Sequence, residues 1–426
     1  MRALTITAHG PVENGPPPAA EASRALREIA SPIVAPPTGK RPVAALDVHG
    51  DSGTHRVEIL ASIHAIAAAE WDALVGASAV ARSHAYLRAI EDAAIAGCRY
   101  FYPVVRDARG RVVAHACVYV VSTDFLQLMP AWVAVPTRWL RRWWPGLLTA
   151  RITECACPLV SGTSISVLSG VDRSLAVSLI ERAMQELARQ TDSTCLVLRD
   201  FLVDERPEMA FLALRGYKRV SNLPLARIRV RWRSYAEYLA AMRSRYRKDL
   251  KRRLARAARD GRHVAVLQDF GEEGARWAAQ VAAVHARAAG FKRETVNAAY
   301  YANLEHLDGA ESLLLVVERD GQRVAHGMVL IDAATTTATF FGREPGPAAG
   351  EWFQLMNEVI RIGIERGSQE ICLGFGSYDA KSLVGADVVP IEVYTRCTNP
   401  LLNAVVKLLP DFMRRETESR RRIFVD

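Results

Sequence analysis

Between the β-branched run TTTATFF and the apolar run EWFQLMNEVI, the chain reads GREPGPAAGEW from Gly342. Gly346 and Gly350 let a backbone come close to a phosphate. Arg343 can pair with the anion. With Ala348 and Ala349 between the glycines, the turn opens a helix whose exposed N–H groups attract negative charge. A plain turn before a helix is the alternative. His285, in VAAVHARAAG, is a candidate general base toward an amine, or a helix histidine satisfied by a neighbour. From Arg243 to Arg262 there are ten Lys/Arg and two acids, Asp249 and Asp260. That excess suits an anion site for coenzyme, nucleotide or tRNA phosphates, with Arg245 and Arg247 as candidate substrate contacts. A solvated helix face is the alternative. No Ser-His-Asp or Cys-His set is apparent, so the residues do not suggest a covalent enzyme intermediate.

These residues need a scaffold, and the chain repeats itself. VVRDARGRVVAHACVYVV from Val104 and VVERDGQRVAHGMVLI from Val316 are nearly one phrase, with His115 and His326 set 211 positions apart. A histidine at the same place in both copies suggests a shared structural role. ARQTDSTCLVLRDF aligns with IERGSQEICLGFGSY, and LRGYKRV with LVGADVV, at an offset of 177 between Cys195 and Cys372. Three ordered matches point to a duplicated domain. The offset shrinks because the first copy carries a Trp- and Pro-rich insertion over 124–164. There PAWVAVPTRWLRRWWPGLL suits contact with a membrane surface, a cap over a groove, or packing on the second half.

The elements expected are a mixed sheet with helices in each half, an α+β class. RVEIL, YFYPVVRDARGRVVAHACVYVV, SISVLSG, TCLVLRDF and PLARIRVRW read as strands of the first half. HVAVLQDF, SLLLVVERDGQRVAHGMVLI, TTTATFFG, EICLGFG and PIEVYTR read as those of the second. Between them, Tyr238, Met242, Tyr246, Leu250, Leu254 and Ala257 form one apolar face of a basic helix. The organisation expected is a flexible Pro-rich tail at 1–52, a first domain at 53–232, a linking helix at 233–262 and a second domain at 263–426. The tail holds eight of the twenty prolines up to residue 50.

Bulk composition suits two domains: 426 residues, 50% hydrophobic, 24% charged, net charge +9. No apolar run approaches the ~18 residues of a membrane span. The N-terminus shows no apolar leader, so a cytoplasmic protein is expected. Seven scattered cysteines, with Cys155 and Cys157 the one close pair, fit reduced thiols and no metal site.

The element order resembles the GNAT acyltransferase fold, present twice. MRSRYRKDLKRRLARAARDG resembles the R-x-R-x-x-L-R-R helix of double-GNAT proteins related to Fem-type peptidoglycan aminoacyltransferases and the BioF2-like acetyltransferase domain. GFGSYDAKSLVG resembles their G-x-G-x-x-x-x-K-x-x-x-G segment, with Gly374, Gly376, Lys381 and Gly385 in place. EWDAL and SHAYLRAIE are similar to the peptidoglycan biosynthesis/recognition group. The resemblance covers roughly residues 56–410. It implies transfer of an acyl or aminoacyl group to a small-molecule amine. The donor lies between two splayed parallel strands, with its pyrophosphate on the next helix N-terminus. It also implies Tyr378 as the acid that protonates the leaving thiolate, and Lys381 as a contact for a substrate anion. The expected co-substrate is acyl-CoA, with no permanently bound cofactor. An acyl-carrier protein or aminoacyl-tRNA is an alternative donor, and a non-catalytic recognition module an alternative role. If one half has lost its donor site, the first is expected to be that half.

Overall fold

A computed structural model describes residues 42–50, 53–76, 79–124, 126, 131–287, 295–346, 350–408 and 423–424. Of the expected tail, residues 1–41 lie outside the described residues. Among the described residues the first strand, β1 (Ala44–Gly50), lies inside that tail and pairs with β2 (Gly53–Leu60). The other strands of the first region are β3 (Cys98–Arg106), β4 (Val112–His115), β5 (Val118–Asp124), β6 (Thr149–Cys155), β7 (Ser166–Val167), β8 (Cys195–Leu202), β9 (Lys218–Ser221) and β10 (Leu225–Arg229). The second region supplies β11 (Arg262–Leu267), β12 (Glu311–Arg319), β13 (Gln322–Ile331), β14 (Thr335–Arg343), β15 (Glu370–Gly374), β16 (Asp387–Val389) and β17 (Ile391–Cys397).

Helices in chain order are α1 (Ala68–Asp72), α2 (His84–Asp92), α3 (Ala131–Leu140), α4 (Arg173–Gln190), α5 (Phe211–Leu214), α6 (Tyr235–Ala241), α7 (Ser244–Arg259), α8 (Gly274–Arg287), α9 (Ala298–Leu304), α10 (Glu351–Glu365), α11 (Tyr378–Leu383) and α12 (Pro400–Leu408). The expected linking helix is two helices. Ser234 caps α6 by accepting from Glu237 N, and the chain breaks at Met242–Arg243 before α7 begins. Leu250 and Ala257 are buried, while Tyr246 and Leu254 pack beside them, so the apolar stripe is the one the spacing indicates.

Two sheets form. The first runs β1-β2-β3-β5-β6-β8-β17-β9, with β4 and β7 beside β3, and the second runs β11-β12-β13-β14-β15-β10-β16. Each has one parallel pair, β6 with β8 and β14 with β15. Each such pair is joined through a long helix, α4 or α10, as a parallel connection requires. The closing strands are exchanged. β10, expected to complete the first half, lies between β15 and β16; β17, expected to complete the second, lies between β8 and β9. Sheet membership therefore departs from the contiguous split 53–232 and 263–426.

A second correction concerns the insertion. Its expected range, 124–164, contains β6, the full partner of β5 from Val118↔Cys155 to Asp124↔Thr149. SISVLSG contributes only the two-residue β7.

The halves share a core. One cluster joins Trp71, Tyr86 and Tyr102 to Trp277, Tyr300 and Tyr301, all fully buried. Asn297 and Asn303 on and beside α9 donate to Ala93 O (2.7 Å) and Ala89 O (3.0 Å), taking up carbonyls at the C-terminus of α2. Each buried large side chain contributes roughly 1.5–3 kcal/mol.

Candidate active site

The second sheet opens into a fork. β14 and β15 pair only from Thr335↔Glu370 to Thr337↔Cys372, yet β14 continues to Arg343 and β15 to Gly374. The splay begins where β14 takes in an extra residue: Gly327 faces Phe341, but Val329 faces Ala338. This bulge at Thr339–Phe340 takes backbone groups out of the ladder on the inner prong. Gly342, just beyond it, must be glycine. A Cβ there would come within 2.3 Å of the His326 ring and 2.9 Å of Gln280 Cβ. The outer prong ends in Gly374, Gly376 and Ser377, all at left-handed φ (71°, 71° and 49°), which explains the G-x-G signature.

Residues singled out in the sequence stand on helices beside the prongs. His285 on α8 is half-buried with its ring 6.2 Å from Phe340 of the bulge. Tyr300 meets Phe340 edge-on from the same side, at 5.7 Å. Tyr378 opens α11 directly after the outer prong and is half-buried. Lys381 is only 4% exposed and donates from Nζ to Phe375 O at 2.8 Å. Burial pulls its ammonium down to about 8, opposed by the neighbouring Cys372 thiol. Its place is inside the loop it ties, where the resemblance had it facing a substrate anion.

The helix after β14 is α10. Gly350, at φ 95°, precedes it and supplies no side-chain cap, so the N-terminal N–H groups lack that partner. Gly346 is exposed at φ 143°, and Arg343 half-buried. Ala348 and Ala349 lie outside the described residues. Two arginines near this helix end are already engaged: Arg253 of α7 sits over the Phe353 ring at 5.2 Å and pairs with Asp249 at 2.8 Å, and buried Arg262 pairs with Asp260 at 2.7 Å and faces Glu351 at 3.8 Å. Arg247 is used otherwise. Its Nη1 donates to Ala240 O and Met242 O, both at 3.0 Å, closing the C-terminus of α6. Arg245 is exposed, as are Lys248, Lys251, Arg252, Arg256 and Arg259.

The corresponding fork of the first sheet is filled. Pairing of β6 with β8 ends at Cys155↔Leu198. Beyond it, Arg199 binds Glu154 (3.0 Å) and Tyr119 Oη (3.1 Å), and Tyr119 donates to Glu154 (2.8 Å). Asp200 accepts from Gly162 N (3.2 Å) and Asn222 Nδ2 (2.7 Å), so the chain's own segment 156–165 is bound into the gap. The helix end here also suits an anion poorly. Asp172 caps α4 by accepting from Ser174 N, and Arg173 is engaged by Glu205 (2.6 Å) and Glu208 (2.7 Å). A cavity of about 480 Å³, lined by Arg189, Asp192 and Arg396 among others, lies at the start of β8 and at neither fork.

The repeated histidines are core groups. His115 Nε2 bonds Trp71 O (2.9 Å), and its ring stacks on Trp71 at 3.6 Å. His326 lies 5.2 Å from Trp277, between Tyr301 Oη (2.9 Å) and Gln280 Oε1 (2.8 Å). Gln280 Nε2 donates to Arg323 O and Glu344, so its oxygen accepts from His326 Nδ1 and Tyr301 donates to Nε2. Burial pushes both histidines down to about 3. The tryptophan partners escaped the sequence reading, although A-x-W-x-A recurs at Ala69–Ala73 and Ala275–Ala279. The bulge escaped it too, since nothing in TTTATFFG marks an extra residue.

Two sheets with one parallel pair each among the described residues, that of the second sheet forked, can now be set beside known proteins. A family described as peptidoglycan biosynthesis/recognition, FemAB-like, matches residues 62–355. This chain belongs to the FemAB-like family. The solved structure of FemX has the same fold, with TM-score 0.52 and 11% identity over 80% of this chain and 98% of that one. A tandem GNAT protein from the clavulanic acid biosynthesis pathway is also similar, with TM-score 0.46 and 17% identity over 81% of this chain and 99% of that one. A Mycobacterium tuberculosis protein described as an 8-amino-7-oxononanoate synthase 2 is 27% identical over 243 residues, 54% of this chain. The match takes up 30% of that relative's length. The FemAB-like chain thus has a mixed α/β fold of two mixed sheets, shared with FemX.

Proposed function

We propose that this FemAB-like protein is an N-acyltransferase whose donor lies in the β14/β15 fork. Family membership and fold support a transferase of acyl groups. The observation that carries the site is the contrast between the two forks. One is tied up by Glu154, Arg199, Asp200 and segment 156–165, while the other carries the bulge and is followed by a helix that a glycine precedes without a side-chain cap. A thioester carbonyl beside Thr339–Phe340 would have its developing oxyanion stabilised by backbone N–H groups of the bulge. The acceptor amine attacks that carbonyl, the C–S bond breaks, and the thiolate leaves. His285 takes the proton that the amine nitrogen sheds as its bond to the carbonyl carbon forms, and Tyr378 gives one to the thiolate sulfur. Positioning between the prongs supplies much of the remaining rate.

The donor proposed is an acyl-CoA or a carrier-protein thioester, its phosphates toward Arg343, Gly346 and Gly350. The exposed cationic face of α7 favours a second reading, in which an aminoacyl-tRNA takes the donor's place. Thermal unfolding with coenzyme A, acetyl-CoA, longer acyl-CoAs and bulk tRNA separates the two. A ligand at one hundred times its Kd raises stability by roughly 2.7 kcal/mol. An acyl-CoA shift is the expected result. A shift with tRNA alone, abolished by salt, replaces the donor. No shift with any of them removes the acyl-CoA and tRNA donors and leaves a carrier-protein thioester or a non-catalytic module.

A further inference from the structure

From Phe125 to Thr153 the chain contains no aspartate or glutamate and four arginines, 138, 141, 142 and 151. The middle of this stretch, α3 and the turn after it, shows apolar side chains to solvent. Val135 is 64% exposed, Trp139 60%, Trp143 72% and Trp144 64%. Arg138 and Arg142 are exposed among them. Tryptophans on a water-facing surface are costly, and a cluster of them marks a contact site. This cluster is also held firmly. Arg141 makes a two-pronged pair with Asp124 (2.8 and 2.6 Å) and donates to Leu147 O (2.9 Å), tying the segment to the end of β5. The same pair neutralises Asp124, the acid that bounds the stretch on its N-terminal side, and Arg151 is taken by Thr191 O at 2.6 Å.

We propose that the surface formed by Val135, Arg138, Trp139, Arg142, Trp143 and Trp144 docks on an anionic lipid bilayer. Tryptophan is suited to the headgroup layer, where its ring is partly buried and its N–H stays wet. Arginines in the same row reach anionic headgroups while their stems lie along the acyl boundary. A protein partner would equally cover tryptophans. The unbroken absence of acids over 29 residues, with exposed guanidinium groups between the rings, is the charge pattern that complements a lipid surface. Among the described residues no helix is long and apolar enough to cross a membrane, so the contact is peripheral. This inference is independent of which donor the fork takes.

The test is co-sedimentation of the full chain with vesicles of phosphatidylcholine alone and of phosphatidylcholine mixed with phosphatidylglycerol. Binding is expected only to the mixed vesicles, with loss at high salt and a blue shift of tryptophan emission. Arg138→Glu/Arg142→Glu and Trp143→Ala/Trp144→Ala are each expected to weaken it by roughly tenfold or more. All four positions are exposed, so the unfolding midpoint should not move. Sedimentation unaffected by these substitutions, or no binding to mixed vesicles at low salt, overturns the proposal. So does concentration-dependent self-association that the same substitutions abolish, because a second copy then covers the face.

Discussion

A neutral imidazole sealed in a core couples folding to pH. His115 and His326 are fully buried, and burial brings both from 6.5 to about 3. Between those values the unfolded chain binds protons that the folded chain refuses. Their contribution is therefore fully present above 6.5 and is lost as pH falls toward 3, with a slope of about 1.4 kcal/mol per pH unit for each. The expected outcome is an unfolding free energy that falls with acidification across this window. His326→Gln should flatten the dependence by about one proton while leaving the neutral-pH fold in place. Denaturant unfolding at a series of pH values measures it. An unchanged slope would mean that His326 takes up its proton without unfolding.

The fork is an element-scale device, because neither prong acts alone. Lys381 fixes the outer prong through Phe375 O. Lys381→Ala leaves a carbonyl of the prong without its donor, at a cost of about 1–3 kcal/mol, and should also lower turnover by loosening the loop that carries Tyr378. Tyr378→Phe should lower turnover roughly tenfold or more, out of proportion to any shift in unfolding midpoint. Turnover unchanged in both would remove the loop from the chemistry. Much at this scale was legible in the chain: the RVAH hairpins, the G-x-G turn, and the stripe of Tyr246, Leu250, Leu254 and Ala257. β6 was hidden because TARITEC sits behind a stretch whose Trp and Pro read as irregular. The bulge was hidden because a β-branched run has the same pattern with or without one extra residue. Arg247 was misdirected by its neighbours, since a basic run does not show which of its members turns back to cap a helix.

At the scale of the whole molecule the two sheets complete each other. Without β17, β8 and β9 would have no strand between them, and without β10 the same holds for β15 and β16. LARIR and IEVYTRC alternate equally well for either sheet, so no local pattern could reveal the exchange. The chain nonetheless carries a reporter of it. Cys195 on β8 and Cys397 on β17 are 202 residues apart and directly opposite in the antiparallel register, with their sulfurs at 3.5 Å. Dioxygen with a copper catalyst should join them, each thiol losing one hydrogen, after modest side-chain rotation. Peptide mapping should find the Cys195–Cys397 pair, absent in Cys397→Ser, and the cross-linked form should unfold at higher temperature because so long a loop is closed. Three other cysteines serve as the internal control. Cys117, Cys155 and Cys157 are buried, and burial pushes the last two thiols up to about 12, so they should stay reduced under the same conditions. Oxidation that never links Cys195 to Cys397 would place β17 outside the first sheet, and the exchange would fall with it.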